Sequence, residues 1–428
     1  MKIFRVVFLL MIVILSACRE ETAEPPVIQI YEPADYSIVC VGDTLQVTAS
    51  VSSSVPIDYI KIALLSENYV QMCPSVTIYP QTESYNVNAE YIISNTNLES
   101  GTYYLKVDAA NEYAASSRYV RLTVSGIPRE SRSLMVFCYE QADDVVQIYK
   151  MDSLLQYSLF KQLPDDFGGG AVNSRDQLIY SMGLYEGNLY MLNASDGSVF
   201  NQINAVIDPP FPYFESISYT NNLLLVGYYD GRIQGYFGNG NLKFMYSVEN
   251  CRLHHARFDG TYLLSVLEYY TGGYFFTGAI YEASGLLKDM VYGEYNVLDL
   301  FRVSGNDVVM FCNAGTQPTV RTLDTYTMVI THLKNLPTGE IKGVAQIDSD
   351  RYLISHTDGL FVYSFDDNAY SEIGSASQSG KIQFDETNNL IYMCGGKDIN
   401  AFAYPSGSWI GTVTMPDSVR DIEILYNR

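Results

Sequence analysis

The chain is 428 residues long and carries 26 Lys and Arg against 48 Asp and Glu, a formal charge of −22. Such a field repels phosphate backbones, so a nucleic-acid partner is not expected. Charged residues make up only 17% of the chain, while 47% is hydrophobic and 13% aromatic; this excludes an acidic disordered tail and suits a folded, β-rich protein.

Residues 1–17 read as a processing signal. Lys2 and Arg5 supply positive charge, and the apolar run VVFLLMIVIL over residues 6–15 is too short for a bilayer span, which needs roughly twenty residues. Small Ser16 and Ala17 then precede Cys18, and the L-S-A-C run resembles the lipobox of bacterial lipoproteins. That resemblance implies cleavage before Cys18, a diacylglycerol on its thiol and an acylated amine. The membrane is then a partner through the lipid anchor, each buried CH₂ contributing about 0.8 kcal/mol. A plain secretory signal ending in cysteine is the alternative. Arg19, Glu20 and Glu21 resemble the surface-export signal of Bacteroidetes lipoproteins, which implies an outer-membrane, lipid-anchored protein facing outward. Residues 18–26 form the lipidated tether, stiffened by Glu24-Pro25-Pro26.

Residues 27–125 predict a β-sandwich. VGDTLQVTASVSS alternates apolar and polar residues after a Gly-Asp turn, IDYIKIALLSE does the same, and SGTYYLKVDAANEY and SSRYVRLTVSG supply two further strands. The run GTYYLKVDAAN resembles the penultimate strand of bacterial Ig-like domains, which implies a tyrosine, here Tyr103, fastening a corner through its hydroxyl. The usual role of such a domain is a spacer or adhesive module. Apart from Cys18 the cysteines are Cys40, Cys73, Cys138, Cys251, Cys312 and Cys394, with no C-x-x-C and no zinc-like spacing. Cys40 with Cys73 is the one pair to test as a disulfide; the others read as small buried residues.

Residues 126–133 form a polar linker, and residues 134–428 are repetitive. Apolar strands begin at 134 (LMVFCYE), 178 (LIYSMGL), 223 (LLLVGYY), 263 (LLSVLEY), 308 (VVMFCNA), 352 (YLISHTD) and 390 (LIYMCGG). A period near 40–45 with several strands per unit predicts a β-propeller, here seven-bladed. YEGNLYMLN, YYDGRIQGYF and TDGLFVYSF each place an acidic residue and glycine at a hairpin turn. The unpaired C-terminal strand VRDIEIL, from Val419, is expected to close the ring beside LMVFCYE. The repeat resembles the YVTN, quinoprotein-like and TolB-like propellers. It does not resemble WD40 repeats, since Trp409 is the single tryptophan and no Trp-Asp dipeptide occurs. The fold class expected is therefore all-β: an Ig-like sandwich followed by a seven-bladed propeller.

Chemistry is sparse. There is no G-x-S-x-G elbow, H-E-x-x-H pair or P-loop. A metal site from His254 or His255 with Glu268 or His356 is conceivable, but scattered histidines more often serve structure, and no metal or other cofactor is expected. NASDGS and GNGN read as turns. A better candidate is aromatic. Loops between the second and third strands of a blade share a face with loops between blades. This places Tyr185, Phe211, Tyr213, Tyr228, Tyr229, Tyr269, Tyr270 and Tyr274 near one face around blades two to four, with Asp208, Asp230 and Glu268 among them. Flat rings and carboxylates suit a glycan or a partner protein of the envelope. Against this stands simple packing, since the chain has 37 tyrosines and strands favour them. The functional expectation is a non-catalytic cell-surface binding protein. A scaffold subunit of an outer-membrane complex is the alternative, and a propeller lyase or quinone-dependent dehydrogenase a third reading.

Overall fold

The computed structural model describes residues 24–142, 144–206, 211–258, 261–270, 272, 274–281, 286–375 and 379–428. Residues 1–23, which hold the expected signal, Cys18 and most of the expected tether, and Asp208 lie outside the described residues. Every regular element among the described residues is a strand. The chain divides between Pro128 and Arg129 into two units.

The N-terminal unit is built from a three-stranded and a five-stranded sheet. The first has the order Val27–Glu32, Thr44–Ser52, Ser84–Ile92; the second Ser37–Cys40, Ala115–Ser125, Gly101–Asn111, Ile57–Leu65, Val76–Ile78. Period-two alternation decides which side chains meet: Val47, Ala49 and Val51 from one sheet join Ile60, Ile62, Leu105 and Val107 from the other in a single apolar core. The Tyr103 hydroxyl donates to the Glu99 carbonyl at 3.1 Å, back across the corner that leads into its own strand. The Cys40–Cys73 disulfide does not form, and both thiols are free. Cys40 ends an edge strand with its side chain in solvent, whereas Cys73 is sealed in the core.

The C-terminal unit is a β-propeller. Among the described residues it contains seven four-stranded antiparallel sheets, numbered here in chain order of their second strands. These second strands are Ser131–Glu140, Leu178–Met182, Leu223–Tyr228, Tyr262–Tyr269, Asp307–Asn313, Arg351–His356 and Leu390–Gly395. They are nearly continuous apolar runs because both of their faces are covered by neighbouring sheets, as parity in a sandwiched strand requires. Fourth strands such as Val199–Ile203 and Val329–Asn335 are largely exposed and mix apolar with polar residues.

First strands touch one another in succession: Gly169–Asn173, Phe214–Thr220, Cys251–Phe258, Asn296–Ser304, Ile341–Gln346, Ile382–Asp385 and Val419–Tyr426, which returns to Gly169–Asn173. The last of these belongs to the first sheet. It pairs antiparallel with Ser131–Glu140, from Val419 opposite Cys138 to Tyr426 opposite Ser131. That strand begins three residues before the position read from the repeat, so the connecting segment is correspondingly shorter.

Candidate functional site

Alternating strand direction sends the loops between second and third strands, and the segments joining one sheet to the next, to the same end of the propeller. At this end lie the turns after Met182, Tyr228 and Tyr269 and the segment entering Phe214. Asp166 organises the first turn: its carboxylate accepts the N–H groups of Leu184 (3.0 Å), Tyr185 (2.6 Å) and Gly187 (2.7 Å), leaving the Tyr185 ring exposed. Gly231 closes the second turn at φ +80°, where a Cβ would meet the Val248 carbonyl oxygen at 2.0 Å. Only glycine fits both the backbone angle and that approach.

Three of the expected rings form a ladder. Phe211 stacks on Tyr229 at 5.0 Å and 25°, and Tyr229 stacks on Tyr270 at 5.0 Å and 22°. The Tyr270 hydroxyl donates to the Tyr229 carbonyl at 2.7 Å, which ties two turns from neighbouring sheets together. Phe211 and Tyr270 stay exposed at the two ends, while both faces of Tyr229 are covered. Tyr274 is exposed and tilted against Tyr292 at 6.1 Å. Tyr269 is half-buried and meets Phe276 edge-on at 5.0 Å.

Other expected residues serve the rim from beneath. Tyr228 is only 1% exposed. Its hydroxyl bonds that of Tyr236 at 3.0 Å, the Arg232 guanidinium lies 4.5 Å over its ring, and burial pushes its phenol far above the usual range. Tyr228 therefore offers no surface to a ligand, because it ends the buried second strand with its side chain between sheets. Tyr213 is half-buried, edge-on to Phe214 and Tyr228. Asp230 is taken up by Arg232, whose Nε donates to it at 2.6 Å.

Glu268 is 6% exposed and anchors a buried charge cluster. It accepts Arg252 Nε at 2.9 Å and Nη2 at 2.6 Å, and stands 2.5 Å from His254 Nε2. Arg252 Nη1 also lies 3.6 Å from Glu215. Burial raises the Glu215 carboxyl, Arg252 opposing and Glu268 adding to it, and its Oε2 is buried without a hydrogen-bond partner. His255, next in sequence to His254, turns instead to Asp299 at 3.1 Å, and His356 Nδ1 accepts the Asp358 N–H at 3.0 Å. The histidines considered for a metal are thus separately engaged, and no three metal-ligating side chains converge among the described residues.

The first strands also enclose a channel of about 380 Å³. Although burial works against the charged form, Arg257 and His255 hold the Asp299 carboxyl below its ordinary range. Lys381 pairs with Asp421 at 3.4 Å. Among the described residues Glu423 forms no such ion pair: burial and then the nearby Asp421 charge push its carboxyl up to about 8, with Lys381 and Arg257 opposing. Sequence reasoning missed this channel. First strands mix polar and apolar residues, and only the repeat phase, read one strand earlier than the apolar runs, points to them.

No protein-family model and no curated protein matches the chain. Among solved structures, a quinoprotein alcohol dehydrogenase-like protein from Bacteroides thetaiotaomicron is similar at a TM-score of 0.49 and 12% identity, covering 94% of this chain and 99% of the other. The WD40 domain of Neurospora crassa Pan2 is similar at 0.47 and 10%, covering 60% and 81%. The WD40 propeller domain of Doa1 is similar at 0.44 and 13%, covering 61% and 96%.

Proposed function

We propose that this chain is a non-catalytic binding protein whose propeller presents the loop face of its second to fourth sheets to a protein partner of the cell envelope. In this reading the seven sheets are the blades of a seven-bladed propeller, and the N-terminal unit is an Ig-like sandwich. Cys18 carries the lipid that holds both at the outer membrane, facing outward. The observation that carries the proposal is the Phe211–Tyr229–Tyr270 ladder, exposed at its ends and fastened by a hydrogen bond. Rigid aromatic groups lose little conformational freedom on binding, and Tyr and Arg dominate the centres of protein interfaces. A saccharide needs most of an open ring face, and the ladder offers only end rings that are less than half exposed, Phe211 at 49% and Tyr270 at 41%, while both faces of its middle ring are covered. A protein partner therefore fits the ladder better than a glycan does, and the binding and scaffold readings converge on this surface.

The test is cross-linking on intact cells followed by reciprocal capture, comparing the natural chain with Phe211→Ala/Tyr270→Ala. A defined envelope protein that recovers this chain in the reverse direction, and is lost with the double variant, supports the proposal. Capture that the double variant leaves intact overturns the site. Binding of a neutral glycan lost with the same variant replaces the protein reading with the glycan one.

A further inference from the structure

A second aromatic surface lies on the N-terminal unit, on the outer side of its five-stranded sheet. Alternation sends Leu105 and Val107 to the core and Tyr104 and Lys106 outward. On the next strand Arg121 stands opposite Tyr104, and Tyr119 opposite Lys106. The Arg121 guanidinium is sandwiched between the rings of Tyr36 (4.8 Å) and Tyr104 (5.8 Å), and its Nη1 donates to the Tyr36 hydroxyl. Tyr69 stacks on Tyr104 at 5.6 Å and 18°, with Tyr119 meeting it edge-on at 5.9 Å. Four planar groups thus follow one another, and the end rings are open: Tyr36 is 59% and Tyr69 63% exposed.

Charge on this face runs against the rest of the unit. Residues 24–128 contain four Lys and Arg against eleven Asp and Glu, and three of the four, Lys61, Lys106 and Arg121, lie on this sheet face. Two carboxylates close by are already engaged. Asp108 pairs with Lys106 at 2.7 Å, and Asp35 accepts the Arg121 backbone N–H at 2.7 Å. The Arg121 side chain is held chiefly by aromatic groups, with its Nε buried and unbonded; Asp35 acts on its charge from nearby, but no ion pair to Arg121 forms among the described residues.

We propose that this sheet face is a binding platform for an acidic polysaccharide, with Tyr69 and Tyr36 stacking on sugar rings and Arg121 meeting a carboxylate or sulfate. An open, rigid ring face suits the C–H face of a pyranose, and a cation flanked by rings suits an anionic substituent on the same chain. The inference is independent of the propeller surface, since it rests on different residues in a different unit. It gives a ligand to a domain whose usual role is a spacer.

The experiment is affinity electrophoresis and calorimetry of the whole chain with polygalacturonate and chondroitin sulfate, dextran as the neutral control, and vesicles containing phosphatidylserine as the competing anionic surface. Binding of at least one acidic polysaccharide is expected, weakening with added salt and falling about tenfold in Tyr69→Ala and in Arg121→Gln. Tyr69 is exposed, so its variant folds; Tyr270→Ala on the propeller should leave this binding unchanged. Failure of both polysaccharides to bind overturns the proposal, as does equal binding of dextran, indifference to both platform variants, or binding of the vesicles alone.

Discussion

Glu268→Ala isolates what the buried charge cluster is worth. The carboxylate accepts two hydrogen bonds from Arg252 and one from His254, at 2.5 to 2.9 Å, with 6% of the residue exposed. Truncation leaves a partly buried guanidinium facing an empty space, a change that typically costs about 3–5 kcal/mol. Glu215 moderates the loss: it already lies 3.6 Å from Arg252 Nη1 and has an unbonded oxygen, so Arg252 has a second carboxylate to turn to. The expected cost is therefore at the low end, about 3 kcal/mol, or a fall of roughly 6 °C in the propeller transition. Scanning calorimetry on the whole chain measures it. Glu268→Gln keeps the shape and one acceptor and should lose about half as much. The Glu215 carboxyl should also drop toward its ordinary range once the Glu268 charge no longer repels it. A melting change under about 1 °C for the alanine variant would refute the reasoning, since it would mean the cluster is solvated.

Three further outcomes are expected. Gly231→Ala should cost at least about 2 kcal/mol and weaken partner capture together, because a Cβ at φ +80° meets two backbone carbonyls and the turn carrying Tyr229 and Asp230 must move; unchanged melting and capture would count against it. Glu423 binds its proton more tightly folded than unfolded. Its contribution is thus neutral below the unfolded pKa, and stability falls as pH rises through the window up to the folded value, by about 1.4 kcal/mol per unit of difference. Glu423→Gln should flatten that fall and melt above the natural chain at about pH 9; a variant that melts lower there contradicts the sign. Apart from Cys18, one thiol, Cys40, should react quickly with Ellman's reagent in the folded chain. Burial hides the other five and pushes Cys138, Cys312 and Cys394 up to about 12. Two fast thiols would refute this.

Legibility in the sequence followed burial. Second strands such as LLLVGY and DVVMFCN are covered on both faces, so they stand out as apolar runs and carry the repeat. First strands such as CRLHHARF line a polar channel and show no such run, which hid Asp299, Lys381 and Glu423 from a reading based on hydrophobicity. The rim was found only to within a residue. Tyr228 and Tyr229 are neighbours, yet one is the last buried residue of a strand and the other the first of the turn, and period-two parity sends them to opposite fates. Glu268 was grouped with the exposed rings for the same reason: it still pairs with Arg252 and Phe275 inside the sheet. The tyrosine and arginine platform escaped notice because Tyr69 lies in a connection between strands, and only the folded chain brings it over Tyr104.

The closing strand has a consequence for how the protein is made. Ser418 and Glu140, 278 residues apart, bond beside the seam where the last strand meets Ser131–Glu140. A ribosome therefore releases the receiving strand long before its partner exists, and that strand's amide edge stays open through the synthesis of six sheets. Any chain interrupted before Val419 keeps this edge, a template for aggregation and a target for proteases, so the seam acts as a test of completeness that only a fully synthesised ring passes.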